Sequence, residues 1–216
     1  MTETDCLNRC PLFRGLSEEV LPAALAFFEA RRASYRRGEA VMRPGEQPDG
    51  FALVLRGAVQ VLQDDVDGHH MIMAQAVAGD TFGESLCYLC LPDSPVYALA
   101  LNGVEVLWLS CRRLRAPCTD ALSFELSARF TAMLAQRTLS MNDRIQVLSR
   151  RSLRDKVLTH LMQCARKAGS HSFKVPFNRT DWAVYLGVNR SALGRELTRM
   201  RKEGLLSFDK RRFTLP

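Results

Sequence analysis

No apolar run in this sequence approaches the roughly 20 residues that a membrane-spanning helix requires. Its opening, MTETDCLNRC, lacks the basic and then apolar pattern of a signal peptide. Both absences lead to the expectation of a cytoplasmic protein with no membrane partner. The chain also has no phosphate-cradling glycine loop, no nucleophile motif and no histidine spacing suited to catalytic zinc. Its four histidines, at 69, 70, 160 and 171, are scattered over separate segments, so no enzyme is expected. Internal repeats and low-complexity tracts are missing too. Cysteine is present, but seven is an odd count, and structural disulfides are not expected in the cytoplasm. The thiols therefore read as free, metal-bound or redox-active.

With 216 residues and 47% hydrophobic content, the chain can build one large core or two small ones. Its net charge of +7 is unevenly distributed. The first 148 residues carry 14 Lys and Arg against 18 Asp and Glu, a balance of −4, and the last 68 carry 16 against 5, a balance of +11. A basic module joined to a neutral or acidic one suggests a polyanion as partner for the C-terminal third.

Along the chain, LSEEVLPAALAFFEARR reads as a helix with Ser17 as its N-cap, although Pro22 lies at the edge of what a first turn tolerates. From Tyr35 to Leu109, short β-rich runs such as FALVLRG, AVQVLQ, VYALAL and VEVLWLS alternate with Gly, Pro and Asp turns, a pattern that predicts an antiparallel sandwich or barrel. Residues 120 to 148 return to helical spacing. Leu134, Met141, Ile145 and Leu148 follow one another at steps of seven, four and three, as in a short coiled-coil seam or a helix packed on its own sheet. RRSLRDKVLTHLMQCARKAG starts another helix, with Ser152 and Asp155 as a capping box and Gly169 as its stop. These readings place domains at 1–119, 120–148 and 149–216.

The stretch NRTDWAVYLGVNRSALGRELTRMRKEGLL sets Ala183, Gly187 and Leu193 where a helix-turn-helix needs a small contact residue, a turn glycine and an apolar anchor. Asn189 caps the second helix and Gly204 closes it. LLSFDKRRFTL then alternates around a polar turn as a hairpin, which adds a wing.

The order of β-roll, long helix, capped hinge helix and winged helix-turn-helix resembles the CRP/FNR family of bacterial transcription regulators over nearly the whole chain. RRGEAVMRPGEQPDGFALVLRGAVQV and GDTFGES are similar to that family's cyclic-nucleotide-binding fold. The resemblance implies an α+β fold and a homodimer about the long helix. It also implies double-stranded DNA as partner, with a near-palindromic operator whose half-sites lie about one helical turn apart, and RNA polymerase as a further partner. The family's recognition triplet, commonly Arg-Glu followed four residues later by Arg, falls on Arg190, Ser191 and Arg195. Ser191 thus replaces a carboxylate that can accept from cytosine, and Arg195 can still grip the N7 and O6 edge of guanine. Asn178, Arg179 and Thr180 fall where family members touch phosphate, and Asn189 could do likewise. Arg199, Arg201 and Lys202 read either as phosphate contacts or as a solvated face.

For the sensor, Gly83, Glu84 and Ser85 keep the turn whose glutamate contacts ribose in cAMP-binding relatives. Val96 and Tyr97 stand where those relatives carry an Arg-Ser pair for the phosphate, and Met141 and Asn142 occupy the adenine-contacting positions. A buried phosphate without a cation is costly, so cAMP is not expected, and Glu84 reads as kept for the turn. SPVYALAL is similar to the branch of anaerobic sensors that includes nitrosative-stress and halo-aromatic regulators, which implies a gas, redox or small organic signal. Four alternatives stay open. An iron-sulfur cluster could use Cys6, Cys10, Cys87 and Cys90, although the oxygen-sensing relatives cluster three cysteines near the N-terminus. Haem could use His69 or His70, with Met71 and Met73. A thiol switch could join Cys87 and Cys90, or use Cys111 or Cys118 alone. A small organic ligand could sit among Tyr97, Met141 and Asn142. A sensor module that binds protein or RNA instead of operator DNA is the competing class.

Overall fold

The computed structural model describes residues 2–46, 48, 50–64 and 70–216, and the chain divides into two compact units, Met1–Leu134 and Ala135–Pro216. The first is built on eight strands: β1 (Arg31–Tyr35), β2 (Ala40–Met42), β3 (Phe51–Arg56), β4 (Ala58–Asp64), β5 (His70–Val77), β6 (Thr81–Phe82), β7 (Tyr97–Ala100) and β8 (Val104–Leu109). They form two antiparallel sheets, ordered β1-β8-β3-β6 and β2-β7-β4-β5. Alternate residues point between the sheets, so that Ala52 and Val54 meet Val59, Val61, Ala98, Ala100 and Val106 in one buried cluster. The opposite face of β3 and β8 presents Phe51, Leu53, Leu107 and Leu109 to a second cluster. FALVL is therefore an unbroken apolar run because β3 is covered on both sides. Gly57 joins β3 to β4 at φ 84°, and a Cβ there would lie 2.4 Å from the Gly103 carbonyl oxygen. Only glycine fits that crossing.

The second cluster lies beneath helices α1 (Glu3–Arg9), α2 (Leu21–Phe27), α3 (Glu84–Leu89) and the first part of α4 (Ala121–Leu148). A chain of ring contacts, Phe13 to Phe28 at 5.7 Å, Phe28 to Phe51 at 5.9 Å and Phe51 to Phe130 at 5.6 Å, ties these helices to β3. α3 was not expected as a helix, and α2 and α1 also differ from the sequence expectation. α2 starts at Leu21, without a side-chain cap, and Pro22 sits in its first turn, where the missing N–H costs nothing. Ser17 contributes only its carbonyl oxygen to the preceding turn, and Arg31 and Arg32 belong to β1. α1 was not expected at all, although Thr2 and Asp5 form a reciprocal capping box at its start.

The second unit contains the end of α4, then α5 (Leu153–Ala168), β9 (Ser172–Lys174), α6 (Arg179–Leu186), α7 (Arg190–Lys202), β10 (Ser207–Asp209) and β11 (Arg212–Thr214). Its core gathers Val147, Val157, Leu161, Trp182, Leu186, Leu193, Leu197, Met200 and Phe213. Ser152 caps α5 by accepting from the Asp155 amide, and Gly169 ends it in the left-handed conformation, as expected. The predicted wing hairpin forms as β10 and β11, and β9 adds a third strand too short to leave a pattern in the sequence. On α4, Met141, Ile145 and Leu148 are 65%, 59% and 39% exposed, so these three seam side chains stay open to solvent among the described residues.

Candidate nucleic-acid interface and sensor site

α6 and α7 meet at a turn fixed by short polar side chains and one glycine. Asn178 Oδ1 accepts from the Thr180 and Asp181 amides at 2.9 Å each, and Asn189 Oδ1 accepts from the Ser191 amide at 2.8 Å. Gly187 closes α6 at φ 64°, a conformation that strains a side-chain-bearing residue there. Beneath this turn Ala183, Leu193, Leu197 and Met200 are buried, each at most 3% exposed. Fully burying a leucine contributes about 1.5 to 3 kcal/mol, so the inner face fixes which residues α7 shows to solvent.

That outer face carries Arg190, Ser191, Gly194, Arg195, Thr198 and Arg199, all exposed. Neither Arg190 nor Arg195 has a hydrogen bond or ion pair with any described residue. Arg199 differs, because its Nε lies 3.1 Å from Glu203. Glu203 also binds Arg154 of α5 at 2.7 Å, and Arg154 reaches Glu196 at 2.8 Å, which locks α7 onto α5. The hydrogen bond from Arg154 is the main reason the Glu203 carboxyl stays below its ordinary range. The Ser191 hydroxyl donates to Asn189 Oδ1 at 2.5 Å and keeps its lone pairs for an incoming donor.

Arg179 was expected at phosphate and is held mainly by the wing. Its guanidinium lies 5.0 to 5.4 Å from the rings of Trp182, Phe208 and Phe213 and donates to the Lys210 carbonyl at 2.9 Å. Burial lowers its pKa. It also borders a hollow of about 330 Å³ with Arg190, Ser191 and Gly194. Asn178 and Asn189 are engaged as caps, and Thr180 is exposed beside them. Sequence reasoning missed Arg154 and His160. His160 is 4% exposed among Phe177, Trp182 and Tyr185, and burial, then Lys167, pushes its pKa down to about 4. The partners of Arg154 lie 42 and 49 positions away and the rings around His160 lie 17 to 25 away, although Cys164, 3.6 Å from His160 Nε2, is only four residues on.

In the first unit, Gly83 adopts φ 86° at the start of α3, Glu84 is 2% exposed, and Ser85 is exposed. The structure separates Val96 from Tyr97. Val96 packs on the cluster between the sheets with Ala98 and Ala100. Tyr97 lies on the other face of β7, where its hydroxyl donates to Asp64 at 2.8 Å, and burial followed by Asp64 raises its pKa. Met141 and Asn142 belong to the second unit and are exposed.

The four cysteines proposed for a cluster do not come together. Cys6 and Cys10 are fully buried in the core under α1, with the Cys6 thiol donating to the Leu55 carbonyl at 3.1 Å, and Cys90 is exposed at the end of α3. Among the described residues, no three of His, Cys, Asp and Glu form a group that could hold a metal ion. His69 lies outside the described residues, as does the side chain of His70, while Met71 and Met73 are 55% and 42% exposed on β5. Cys87 and Cys111 are both buried in the cluster beneath the helices.

Residues 32–118 match the cyclic nucleotide-binding domain family, and residues 155–216 match the Crp-like helix-turn-helix domain family. The chain is 25% identical over 196 residues to the Cyclic AMP receptor protein of Thermus thermophilus, covering 91% of this chain and 88% of that protein. It is 26% identical over 194 residues to the nitrogen fixation regulation protein FixK of Bradyrhizobium diazoefficiens, covering 86% and 78%. The solved structure of FixK2 from Bradyrhizobium japonicum superposes with a TM-score of 0.51 at 27% identity, covering 86% of this chain and 92% of that one.

Proposed function

The chain belongs to the CRP/FNR family of DNA-binding transcription regulators, and from that premise we propose that it works as a homodimer whose paired α7 helices enter successive major grooves of a near-palindromic operator. The observation that carries this reading is the division of labour on α7. Its inner face is locked by core leucines and by Arg154, while Arg190 and Arg195 project without partners. A guanidinium with no internal acceptor is available to phosphate or guanine. The exposed seam of Met141, Ile145 and Leu148 supports pairing through α4, because a second copy would remove those side chains from water.

We further propose that the signal is not cyclic AMP, although the name of the Thermus relative includes it. Val96, just before β7, and Ala98 and Ala100 on its inner face supply no cation, and on the outer face Tyr97 meets the carboxylate of Asp64. A cyclic phosphate would find no charge partner on that strand. In this reading the protein resides in the cytoplasm, meets RNA polymerase at promoters and catalyses no reaction. No described helix is long and apolar enough to cross a membrane.

The test is binding of the full chain to labelled duplex DNA and to single-stranded RNA over a range of salt concentrations, together with sedimentation of the free protein. The proposal expects a dimer that prefers duplex and whose affinity falls linearly on a log-log salt plot. Equal or tighter binding to RNA would contradict it and favour a module of another class.

A further inference from the structure

β1 and β2 are outer strands of their two sheets, and a hollow of about 480 Å³ is lined from both of them and from β8. Alternation puts Arg31, Ala33 and Tyr35 on one face of β1, and the register sets them opposite Trp108, Val106 and Val104 of β8. Val104 and Val106 belong to the cluster between the sheets, and Ala33, Tyr35 and Trp108 pack against it, so this is the inner face. Arg31 and the indole of Trp108 therefore rise from one face, on Cα atoms about 5 Å apart. The indole is braced: its Nε1 donates to the Tyr35 hydroxyl oxygen at 3.0 Å, and its ring meets Phe82 edge-on at 6.3 Å. Tyr35 accepts in that bond and keeps its own proton for an incoming acceptor. Ala40 and Met42 of β2 add an apolar wall. Of the three arginines in the lining, Arg32 pairs with Glu3 and Arg43 with Glu46, whereas Arg31 has no hydrogen bond or ion pair with any described residue. Arg31 also borders a second hollow, of about 550 Å³, together with Arg112, Arg115 and Glu29. Among the described residues, three arginines and one carboxylate thus line each hollow.

We infer that the hollow between β1 and β2 is a binding site for a small carboxylate carried on a flat ring. Its volume lies within the roughly 300 to 1,000 Å³ of small-molecule pockets, and it joins an apolar lining to a few convergent polar groups, as such pockets do. The planar guanidinium of Arg31 offers a carboxylate two parallel N–H donors, and the free proton of Tyr35 offers a third. Trp108 and Met42 take the ring, whose burial removes apolar surface from water. Arg112 and Arg115, across Arg31 in the second hollow, add a positive field that draws an anion to that end. Both halves of the ligand are needed. A neutral molecule of the same shape would leave the Arg31 donors to water, and a bare carboxylate would leave the indole uncovered. The site shares no residue with the turn at Gly83, with Val96 and Tyr97, or with Met141 and Asn142. It is therefore separate from the positions at which cyclic AMP is not expected.

The experiment titrates the nitrogen-15-labelled full chain with naphthalene-2-carboxylate, naphthalene-2-carboxamide and acetate, and follows the two indole N–H signals by NMR, assigned with Trp108→Phe. The carboxylate should move the Trp108 signal saturably and leave that of Trp182 in place. The carboxamide and acetate should bind at least about tenfold more weakly. Arg31→Gln, at an exposed position, should raise the Kd of the carboxylate about tenfold, the loss expected when a charge-assisted pair is removed. Absence of a saturable Trp108 shift at millimolar carboxylate, equal binding of the carboxamide, equal affinity in Arg31→Gln, or parallel movement of both indoles would each overturn the site. An inward charge on an outer strand also deters strand pairing between molecules. If Arg31→Gln associates with itself while the parent binds none of the three compounds, that role accounts for Arg31 and the site falls. The proposal takes its purpose, and not its chemistry, from the regulator reading. The titration needs no DNA, so its failure leaves that reading standing, and a failure of DNA binding leaves the carboxylate site standing.

Discussion

In Ala135–Pro216 the carboxylates Glu196 and Glu203 are tied to Arg154 and the caps Asn178 and Asn189 to backbone amides, and Arg190 and Arg195 are left over at the surface. In Met1–Leu134 several ionisable side chains go inward, with Glu84, Cys87 and Cys111 each at most 4% exposed. Under the proposed function, the difference follows from what each unit would meet. A duplex is a large anion that can be read from outside, by charges held in a fixed array on a rigid helix. A small signal makes few contacts, and each is strong only where water is excluded.

The largest expected effect strikes the rigidity of the reading unit. Leu193→Ala, at a fully buried position, should cost about 2 to 5 kcal/mol. Each unit carries one tryptophan, Trp108 in the first and Trp182 in the second, so single-tryptophan variants report their unfolding separately. In urea, the Trp182 transition should move to lower concentration while that of Trp108 stays; equal movement of both would erase the distinction between the units.

Acid should act next, and again on the second unit. His160 is neutral in the fold with a pKa near 4, against an ordinary value of 6.5. The unfolded chain binds the extra proton first, so stability is fully present above about pH 6.5 and is lost as pH falls toward 4. The loss is up to about 3 kcal/mol. His160→Phe should flatten the pH dependence of the Trp182 transition between those limits, and an unchanged slope would assign the acid sensitivity elsewhere. Arg179→Ala, which removes the bond to Lys210 and the ring contacts, should cost about 1 to 2 kcal/mol. It should also raise amide exchange in β10 and β11 while that of β3 is unaffected. The smallest effect concerns the first unit. A ligand at a hundred times its Kd stabilises by about 2.7 kcal/mol, whereas millimolar cyclic AMP should leave the Trp108 transition and DNA affinity where they are. A shift in either would return the cyclic nucleotide to this chain.

What could be read in the sequence divides along the same line. Asn189, Gly187, Ser152 and Gly169 act within four residues of themselves, and the structure uses each as a cap or turn, as expected. The two sheets and the long α4 were legible because their periods repeat over many residues. Ser17 misled because a serine before acidic residues looks like a cap whether or not the chain turns, and here the helix starts only at Leu21. α3 and β9 are too short for a period to show. The latch of Arg179 on the wing depends on a contact across 31 positions, for which one sequence has no local mark.

In the proposed function Arg195, exposed on α7 and without a partner among the described residues, reads a base. Selection of binding sites from a random duplex pool, run in parallel with the parent chain and Arg195→Ala, tests this directly. The parent should enrich an inverted repeat with half-sites about one turn apart. The variant should lose discrimination at one guanine in each half, at a cost of roughly 1 to 3 kcal/mol. An unchanged motif in Arg195→Ala, or a parent selection that yields no repeat, would contradict it.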